Sequence, residues 1–102
     1  VPSGTTPYTS TVGINKNEFE KLKVTVFPNP ASDLIAIQFN DLIKYDFDIA
    51  LYNINGKRIK QSKINKGQTI AYFDIETVYA GIYLVKISNE NNVKTFKVVI
   101  KK

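Results

Sequence analysis

Alternating apolar and polar residues constrain this chain more than any other feature of its sequence. Seven short runs show the two-residue period of a β-strand, and each run is bounded by turn-forming residues. Turn signals about 8–12 residues apart indicate a sandwich or barrel rather than βαβ units. We therefore predict an all-β fold, an immunoglobulin-like β-sandwich of about seven antiparallel strands. The predicted strands are residues 23–27, 34–39, 46–54, 57–64, 69–75, 81–88 and 93–100.

The same period predicts which side chains face the core, because alternate residues of a strand point to the same side of a sheet. A chain of 102 residues is one domain at most. Burial of its inward side chains, at roughly 1.5–3 kcal/mol each, suffices for a small two-sheet core. The predicted inward sets are Ile35, Ile37 and Phe39; Phe47, Ile49 and Leu51; Ala71, Phe73 and Ile75; Tyr83, Val85 and Ile87; and Phe96, Val98 and Ile100.

The fourth run is predicted to be an edge strand. Its Lys and Arg residues suit an exposed edge, where charge discourages pairing with another chain. Ile59 and Ile64 lie an odd number of residues apart, so they can share a face only if the strand contains a bulge. Before this strand, Asn55-Gly56 is predicted to close a hairpin as a two-residue type I′ turn, which needs positive φ at both positions.

Two prolines interrupt the strand pattern in the segment VFPNPASD. Proline donates no backbone hydrogen bond, and it favours an extended conformation in the residue before it. Pro28 and Pro30 are therefore expected to hold the segment straight while it crosses from one sheet to the other. Residues 31–33 are expected to turn the chain into the second strand. The role predicted for this segment is architectural.

The first residues of the chain differ in composition from the β region. Residues 1–13 are small and polar with two prolines, which is linker composition, and the β pattern begins at residue 23. The domain is therefore predicted to cover residues 23–102, with residues 1–22 as a linker before it. Within the linker, residues 14–22 could form one helical turn or a short extended lead-in. The chain does not open with a signal-peptide pattern, and no apolar run reaches the roughly 18–20 residues that span a bilayer. We expect no membrane insertion.

The sequence offers little for catalysis. It has no Cys and no His, which removes the thiolate nucleophile, the usual general base and the commonest transition-metal ligand. Asp46 with Asp48, and Asp74 with Glu76, have the spacing to share one face of a strand. We interpret both pairs as solvent-exposed carboxylates at strand ends, and not as a catalytic carboxylate pair or a calcium site. We predict no catalytic residue, no cofactor and no metal.

Basic charge is concentrated in the second half of the chain. Residues 56–102 carry ten basic against three acidic residues, whereas residues 1–55 carry four against six. A basic segment of this kind can bind nucleic acid or an acidic partner, but most often its charges form a solvated surface that keeps the protein soluble. Tyr72, Tyr83 and Phe96 could stack bases among the lysines. Because these aromatic residues follow the inward period and the chain has a single Arg, we expect no nucleic-acid partner.

Other aromatic residues leave an alternative open, a carbohydrate-binding or adhesion β-sandwich module of a secreted protein. Tyr45, Tyr52 and Tyr79 fall off the predicted inward faces or in loops. Exposed aromatic rings at such positions can bind sugars. The simpler explanation of each is an amphipathic residue at a corner of the sandwich, with its hydroxyl in water.

Taken in order, four motifs resemble a known family. VFPNPASD is followed by LYNINGKRI, by FDIETVYAGIYLVKI and by the basic ending KVVIKK. The combination is similar to the C-terminal sorting domains (type A, Por secretion family) of proteins exported by the type IX secretion system of Gram-negative bacteria. The resemblance covers about residues 24–102, with Asn53 standing where the family pattern more often has Asp. The matching motif residues are Phe27, Pro28, Asn29, Pro30 and Asp33; Gly56 and Lys57; and Gly81, Tyr83 and Val85.

The resemblance implies an immunoglobulin-like sandwich that serves as an export address. Such domains follow their cargo to the periplasm and are recognised by the outer-membrane translocon. A sortase-like cysteine protease then removes them, and the cargo reaches the cell surface or the extracellular space, often joined to an anionic lipopolysaccharide. The implied partners are thus the translocon, the protease and the upstream cargo domain. The chain would be a substrate of this chemistry and not an enzyme, with the cut expected in residues 1–22 or upstream of them.

The basic final strand suggests where the address lies. Four lysines there, together with a free carboxylate after the last of them, would make a handle for a receptor. We predict that the translocon recognises these lysines on a surface made by the last two strands. They are Lys94, Lys97, Lys101 and Lys102.

Overall fold

The fold is known from a computed structural model that describes residues 14–41 and 43–102. The described residues form one short helix and seven β-strands. Every predicted strand is present, and each observed end lies within one residue of its predicted position. The elements are α1 (Lys16–Lys21), β1 (Val24–Phe27), β2 (Leu34–Phe39), β3 (Phe47–Asn53), β4 (Arg58–Ile64), β5 (Ile70–Asp74), β6 (Gly81–Asn89) and β7 (Asn92–Ile100).

The strands form two antiparallel sheets that pack face to face. Sheet A has the order β1-β2-β5, and sheet B has the order β4-β3-β6-β7. In immunoglobulin lettering these sheets correspond to strands A, B, E and C′, C, F, G. The predicted all-β sandwich of seven strands is therefore confirmed.

The core lies between the two sheets and contains the predicted inward residues. All of these residues are buried except Ala71 and Phe96, which are half-buried at its margin. Phe39 of sheet A stacks on Phe47 of sheet B, with ring centroids 5.4 Å apart. Offset aromatic packing of this kind adds to the stabilisation that comes from apolar burial.

Strand β4 is an edge strand with a bulge, as the sequence predicts. The register between β3 and β4 shifts at Leu51 and Tyr52, so that Leu51 pairs with Lys60 and Tyr52 pairs with Arg58. The residue left over is Ile59, which packs against the core while Ile64 is fully buried. The extra residue therefore corrects the odd spacing of the two isoleucines.

The predicted type I′ turn between β3 and β4 is wrong. Gly56 has φ of 87°, but Asn55 does not have positive φ. The Gly56 N–H donates to the Asn53 carbonyl at 3.0 Å, and the Asn53 N–H donates to the Lys57 carbonyl at 2.9 Å. These bonds make a three-residue loop, in which a turn is followed by one glycine with positive φ. The Asn53 side chain, discussed below, favours this longer loop.

Residues before the first strand also belong to the packed structure. Asn15 caps α1, because its Oδ1 accepts a hydrogen bond from the Glu18 N–H at 2.8 Å and its Nδ2 donates to the Glu18 carboxylate at 2.8 Å. The helix buries Phe19, whose ring centroid lies 6.0 Å from that of Phe47. Ile14 is buried as well. A six-residue helix is not stable alone, so these contacts hold it in place.

One aromatic residue does not face the core as predicted. Tyr72 lies on the outer face of β5 and is 56% exposed, because it alternates with the buried Phe73. Tyr83 is buried and Phe96 is half-buried, in agreement with the prediction. The three rings therefore do not share one surface.

Candidate recognition site

The proline segment carries the chain from sheet A to the edge of sheet B. Strand β1 ends at Phe27, and both the Phe27-Pro28 and Asn29-Pro30 peptide bonds are cis. Ala31 then forms a parallel bridge with Ile100 of β7. The Ala31 N–H donates to the Val99 carbonyl, and the Lys101 N–H donates to the Ala31 carbonyl, both at 2.8 Å. The segment does cross to sheet B, where it pairs with the last strand, but it then returns. The prediction that it switches the chain from one sheet to the other is wrong, because β2 pairs with β1 in sheet A.

Asn29 makes the pairing that the prolines cannot make. Its Oδ1 accepts a hydrogen bond from the Val99 N–H at 3.0 Å, and its Nδ2 donates to the Lys97 carbonyl at 3.4 Å. A side-chain amide has one acceptor and one donor group in a single plane, as a peptide group has. Asn29 therefore takes the place of a strand residue at the edge of β7, between two residues that lack an N–H.

Lys102 ties the end of β7 to the turns of sheet A. Its ammonium donates to the carbonyl oxygens of Ser32 at 2.8 Å, Ile75 at 2.7 Å and Glu76 at 3.2 Å. An ammonium has three donors, and each one finds an acceptor here. We call Asn29, Ala31 and Lys102 the strand clamp, since together they fasten the last strand to the segment that follows β1.

The late motif residues lie beside this clamp. Gly81 begins β6, pairs with Ile100, and has φ of 155°, a value that residues with a side chain rarely adopt. The buried Tyr83 donates from its hydroxyl to the Tyr79 carbonyl at 2.8 Å. This bond fixes the chain just before β6, in the manner of the tyrosine corner of immunoglobulin sandwiches. Val85 is fully buried in the same strand.

The hairpin motif is organised by a residue that the motif prediction did not include. The Asn53 Oδ1 accepts hydrogen bonds from the N–H groups of Asn55 and Lys57, both at 2.9 Å. An Asp carboxylate would accept the same two bonds, so the departure of Asn53 from the family pattern preserves its chemistry. Gly56 supplies the one positive φ of the loop, and Lys57 itself is exposed.

The remaining opening-motif residues lie at the surface. Phe27 is 38% exposed on the outer face of sheet A, where it pairs with Ala36. Pro28 and Pro30 are exposed. The Asp33 carbonyl accepts a hydrogen bond from the Ile75 N–H at 3.0 Å, which leads the chain into β2.

The four lysines predicted to be the address divide into two kinds. Lys94 and Lys102 are structural: the Lys94 ammonium donates to the Leu22 carbonyl at 2.7 Å and lies 5.4 Å from the centre of the Phe19 ring. Lys97 and Lys101 are exposed, and neither side chain makes a bond within the described part of the chain. Recognition of these lysines by the translocon stays a prediction.

Three polar residues at the opposite end of the sandwich hold residues 14–22 in place and were not predicted. The Asn89 side chain is 8% exposed; its Oδ1 accepts from the Ile14 N–H at 3.2 Å and its Nδ2 donates to the Asp46 carbonyl at 2.8 Å. Asn92 donates to the Ile14 carbonyl at 2.7 Å. With Lys94, these residues bind the lead-in to both sides of the β6–β7 turn. Their sequence signal was limited to the turn composition of residues 89–92.

The tyrosines considered for carbohydrate binding do not form one site. Tyr45 and Tyr52 lie near opposite ends of β3, and Tyr79 precedes β6 and is 87% exposed. The Tyr52 ring has the Lys86 ammonium 4.8 Å from its centre, and the Tyr45 hydroxyl lies 3.5 Å from the Glu18 carboxylate. The three tyrosine rings are therefore separate from one another and do not form a common sugar-binding surface.

The carboxylate pairs act as turn acceptors. Asp46 accepts from the Lys66 N–H at 2.8 Å, and Asp74 accepts from the Glu76 N–H at 3.0 Å. Within residues 14–41 and 43–102, no group of three or more acidic residues is placed to hold a metal ion. The helix found there is not long and apolar enough to span a membrane.

Comparison with known proteins identifies the family of this chain. The family described as a secretion system C-terminal sorting domain matches residues 25–101. The chain is also 33% identical over 91 residues to an endo-acting ulvan lyase from Formosa agariphila, a stretch that covers 89% of this chain and 17% of the lyase. The chain thus spans less than one fifth of that relative.

A sorting domain of this kind is a signal for export to the cell surface or the extracellular space, and it is not itself catalytic. In this fold, the residues that the resemblance predicts as motif residues lie at the crossing, in the hairpin loop and at the start of β6. The resemblance predicted from the four motifs is confirmed: the chain belongs to the type IX secretion system C-terminal sorting domain family.

Proposed function

We propose that this domain directs an upstream cargo protein through the type IX outer-membrane translocon after transit of the periplasm. The observation that carries the proposal is the family match over residues 25–101, in a fold whose motif residues all have assigned structural positions. The relative from Formosa agariphila is an ulvan lyase by name, and its matched segment is a small part of its length. A secreted enzyme is therefore the kind of cargo that we propose for this chain.

The domain is proposed to be cut from its cargo by a sortase-like protease, at a bond before Ile14. Residues 14–22 are fixed to the sandwich, with Ile14 and Phe19 in the core and the Leu22 carbonyl bonded to Lys94. A protease needs an extended segment that it can surround, which a packed segment does not offer. The sequence-based boundary at residue 22 therefore becomes a proposed boundary near residue 14. Of the predicted cleavage range, residues 1–22 or upstream of them, the part that this proposal retains lies before Ile14, outside the described residues.

The test is export of a reporter. A fluorescent protein with a Sec signal at its N-terminus and this chain at its C-terminus is expressed in a bacterium with a type IX system, and in a strain that lacks the translocon. We expect the reporter outside the cell or on its surface only in the first strain, without residues 14–102 attached. Retention of the reporter in the periplasm of both strains would reject the proposed function.

A further inference from the structure

The outer face of sheet B carries a concentration of positive charge that has no structural role in the clamp, the hairpin loop or the start of β6. Its strands alternate, so the residues between the buried ones point away from the core. We define the basic face as the outward residues of sheet B. They are Asp48, Ala50 and Tyr52 of β3; Arg58, Gln61 and Lys63 of β4; Ile82, Leu84, Lys86 and Ser88 of β6; and Val93, Thr95, Lys97 and Val99 of β7.

The charges of this face are brought together by strand register. Tyr52 pairs with Arg58 on one side and with Leu84 on the other, and Leu84 pairs with Lys97. With strands roughly 4.8 Å apart, this row spans about 14 Å from Arg58 to Lys97. In the next row Lys86 reaches over the Tyr52 ring, 4.8 Å from its centre. Three cations thus surround a tyrosine and a leucine at the middle of the sheet.

These cations have no carboxylate partner within the described part of the chain. Arg58, Lys63 and Lys97 are exposed and make no side-chain bond there. The strands of the face carry one carboxylate, Asp48, beside Lys63 in register, and Glu90 of the β6–β7 turn lines the same cavity as Lys86. The outer face of sheet A differs, since its outward residues include no Lys or Arg. Those residues are Thr25, Phe27, Leu34, Ala36, Gln38, Ile70, Tyr72 and Asp74. Of the two outer faces, only that of sheet B therefore carries the excess of basic residues found in the second half of the sequence.

The apolar residues of the basic face decide which kind of anion it suits. Leu84, Ala50 and Val99 are half-buried, and Ile82 is 48% exposed, so apolar surface lies between the cations. Tyr and Arg are enriched at protein interfaces, and an apolar centre within a charged rim is typical of them. A polyanionic glycan or nucleic acid would instead use a continuous track of cations and polar groups. The mixture of apolar and basic residues on this face therefore favours a protein partner over a glycan or a nucleic acid.

We propose that the basic face is the docking surface for an acidic partner protein, whose carboxylates meet Arg58, Lys86 and Lys97 around an apolar contact with Tyr52 and Leu84. This inference rests on the proposed function in taking the partner to be a component of the export machinery. It replaces the four lysines of the final strand by a surface on all four strands of sheet B, with Lys97 the one residue shared by both. Complementary charge would speed the encounter and reject wrong partners.

The experiment uses the same reporter with three sets of charge changes. The face variant has Arg58→Glu, Lys86→Glu and Lys97→Glu, and the control variant has the same change of net charge at Lys16, Lys21 and Lys23, which are exposed and lie outside sheet B. The third set has Gln at the three face positions. We expect at least a tenfold lower exported fraction for the face variant and export like wild type for the control, because carboxylates introduced into the face would repel those of the acidic partner. Circular dichroism of the purified domains establishes folding, and the Gln set replaces the Glu set if the latter is unfolded.

The outcomes separate the inference from the proposed function. Failure of the unchanged domain to export the reporter rejects the function itself. Normal export of the folded face variant, or equal loss with the control variant, overturns the inference and leaves the function standing. A photocrosslinking residue in place of Leu84, compared with one in place of Gln38 on sheet A, then distinguishes the occupant. A protease-sensitive adduct at position 84 alone supports an acidic protein; a protease-resistant glycan adduct overturns it.

Discussion

Asn29 shows how a single side chain can replace a strand residue. It stands between two prolines, so the backbone on either side has no N–H to offer to β7. The amide supplies the missing acceptor to Val99 and the missing donor to Lys97. Asp could provide only the acceptor, and Ala could provide neither. This requirement explains in physical terms why an asparagine stands between the prolines.

We predict that Asn29→Ala lowers the free energy of unfolding by about 1 kcal/mol, the usual net value of a lost intramolecular hydrogen bond at a partly solvated site. Asn29→Asp should cost at least as much, because its carboxylate would lie against the Lys97 carbonyl. The measurement is urea denaturation of the purified domain. Asn17→Ala is the matched control, since Asn17 is exposed in α1 and makes no side-chain bond within the described residues. Equal stability of Asn29→Ala and wild type would show that the side-chain bonds do not hold β7.

At the scale of elements, the β3–β4 hairpin depends on one acceptor atom. The Asn53 Oδ1 holds the two N–H groups that fix the three-residue loop. We predict that Asn53→Ala destabilises the domain by about 1 kcal/mol and that Asn53→Asp leaves it within about 0.5 kcal/mol of wild type. Thermal denaturation of both variants tests the prediction. Equal destabilisation by Asp and Ala would mean that the oxygen is not the feature that matters.

The lead-in and helix α1 are expected to be part of the stable unit. Phe19 is 3% exposed and packs on Phe47. We predict that Phe19→Ala costs about 3 kcal/mol, at the low end for a buried Phe because the site lies at the end of the sandwich. Denaturant unfolding measures this cost, with Glu20→Ala on the exposed side of the same helix as the control. A loss below about 0.5 kcal/mol would restore the sequence-based boundary at residue 22.

The strands and their inward faces could be predicted from the sequence, because the two-residue alternation of apolar and polar residues indicates both. Even the β4 bulge could be predicted, since Ile59 and Ile64 cannot otherwise both reach the core. The hairpin loop could not, because Asn-Gly fits both loop lengths and the choice depends on the Asn53 side chain. The roles of Asn29, Asn89 and Lys102 depend on contacts between residues 26 to 75 positions apart or bridging the two sheets. No local pattern contains such contacts.

At the scale of the whole molecule, two tasks fall on different parts of the fold. The motif residues of the family fasten strands and turns, and the unpaired cations lie together on sheet B. We therefore expect the opening motif and Lys102 to affect export only by stabilising the folded sandwich. A receptor would then bind the basic face, whose strands these residues hold in position.

The most direct test compares the exported fraction of the reporter with the folded fraction of the domain at growth temperature, for wild type, Asn29→Ala, Asn29→Asp and Lys102→Met. Each variant weakens the strand clamp without changing the outer face of sheet B. We predict that export follows the folded fraction, so that every variant that remains folded is exported like wild type. A variant that is fully folded yet retained in the periplasm would contradict the account, because the altered clamp residue would then be read directly by the export machinery.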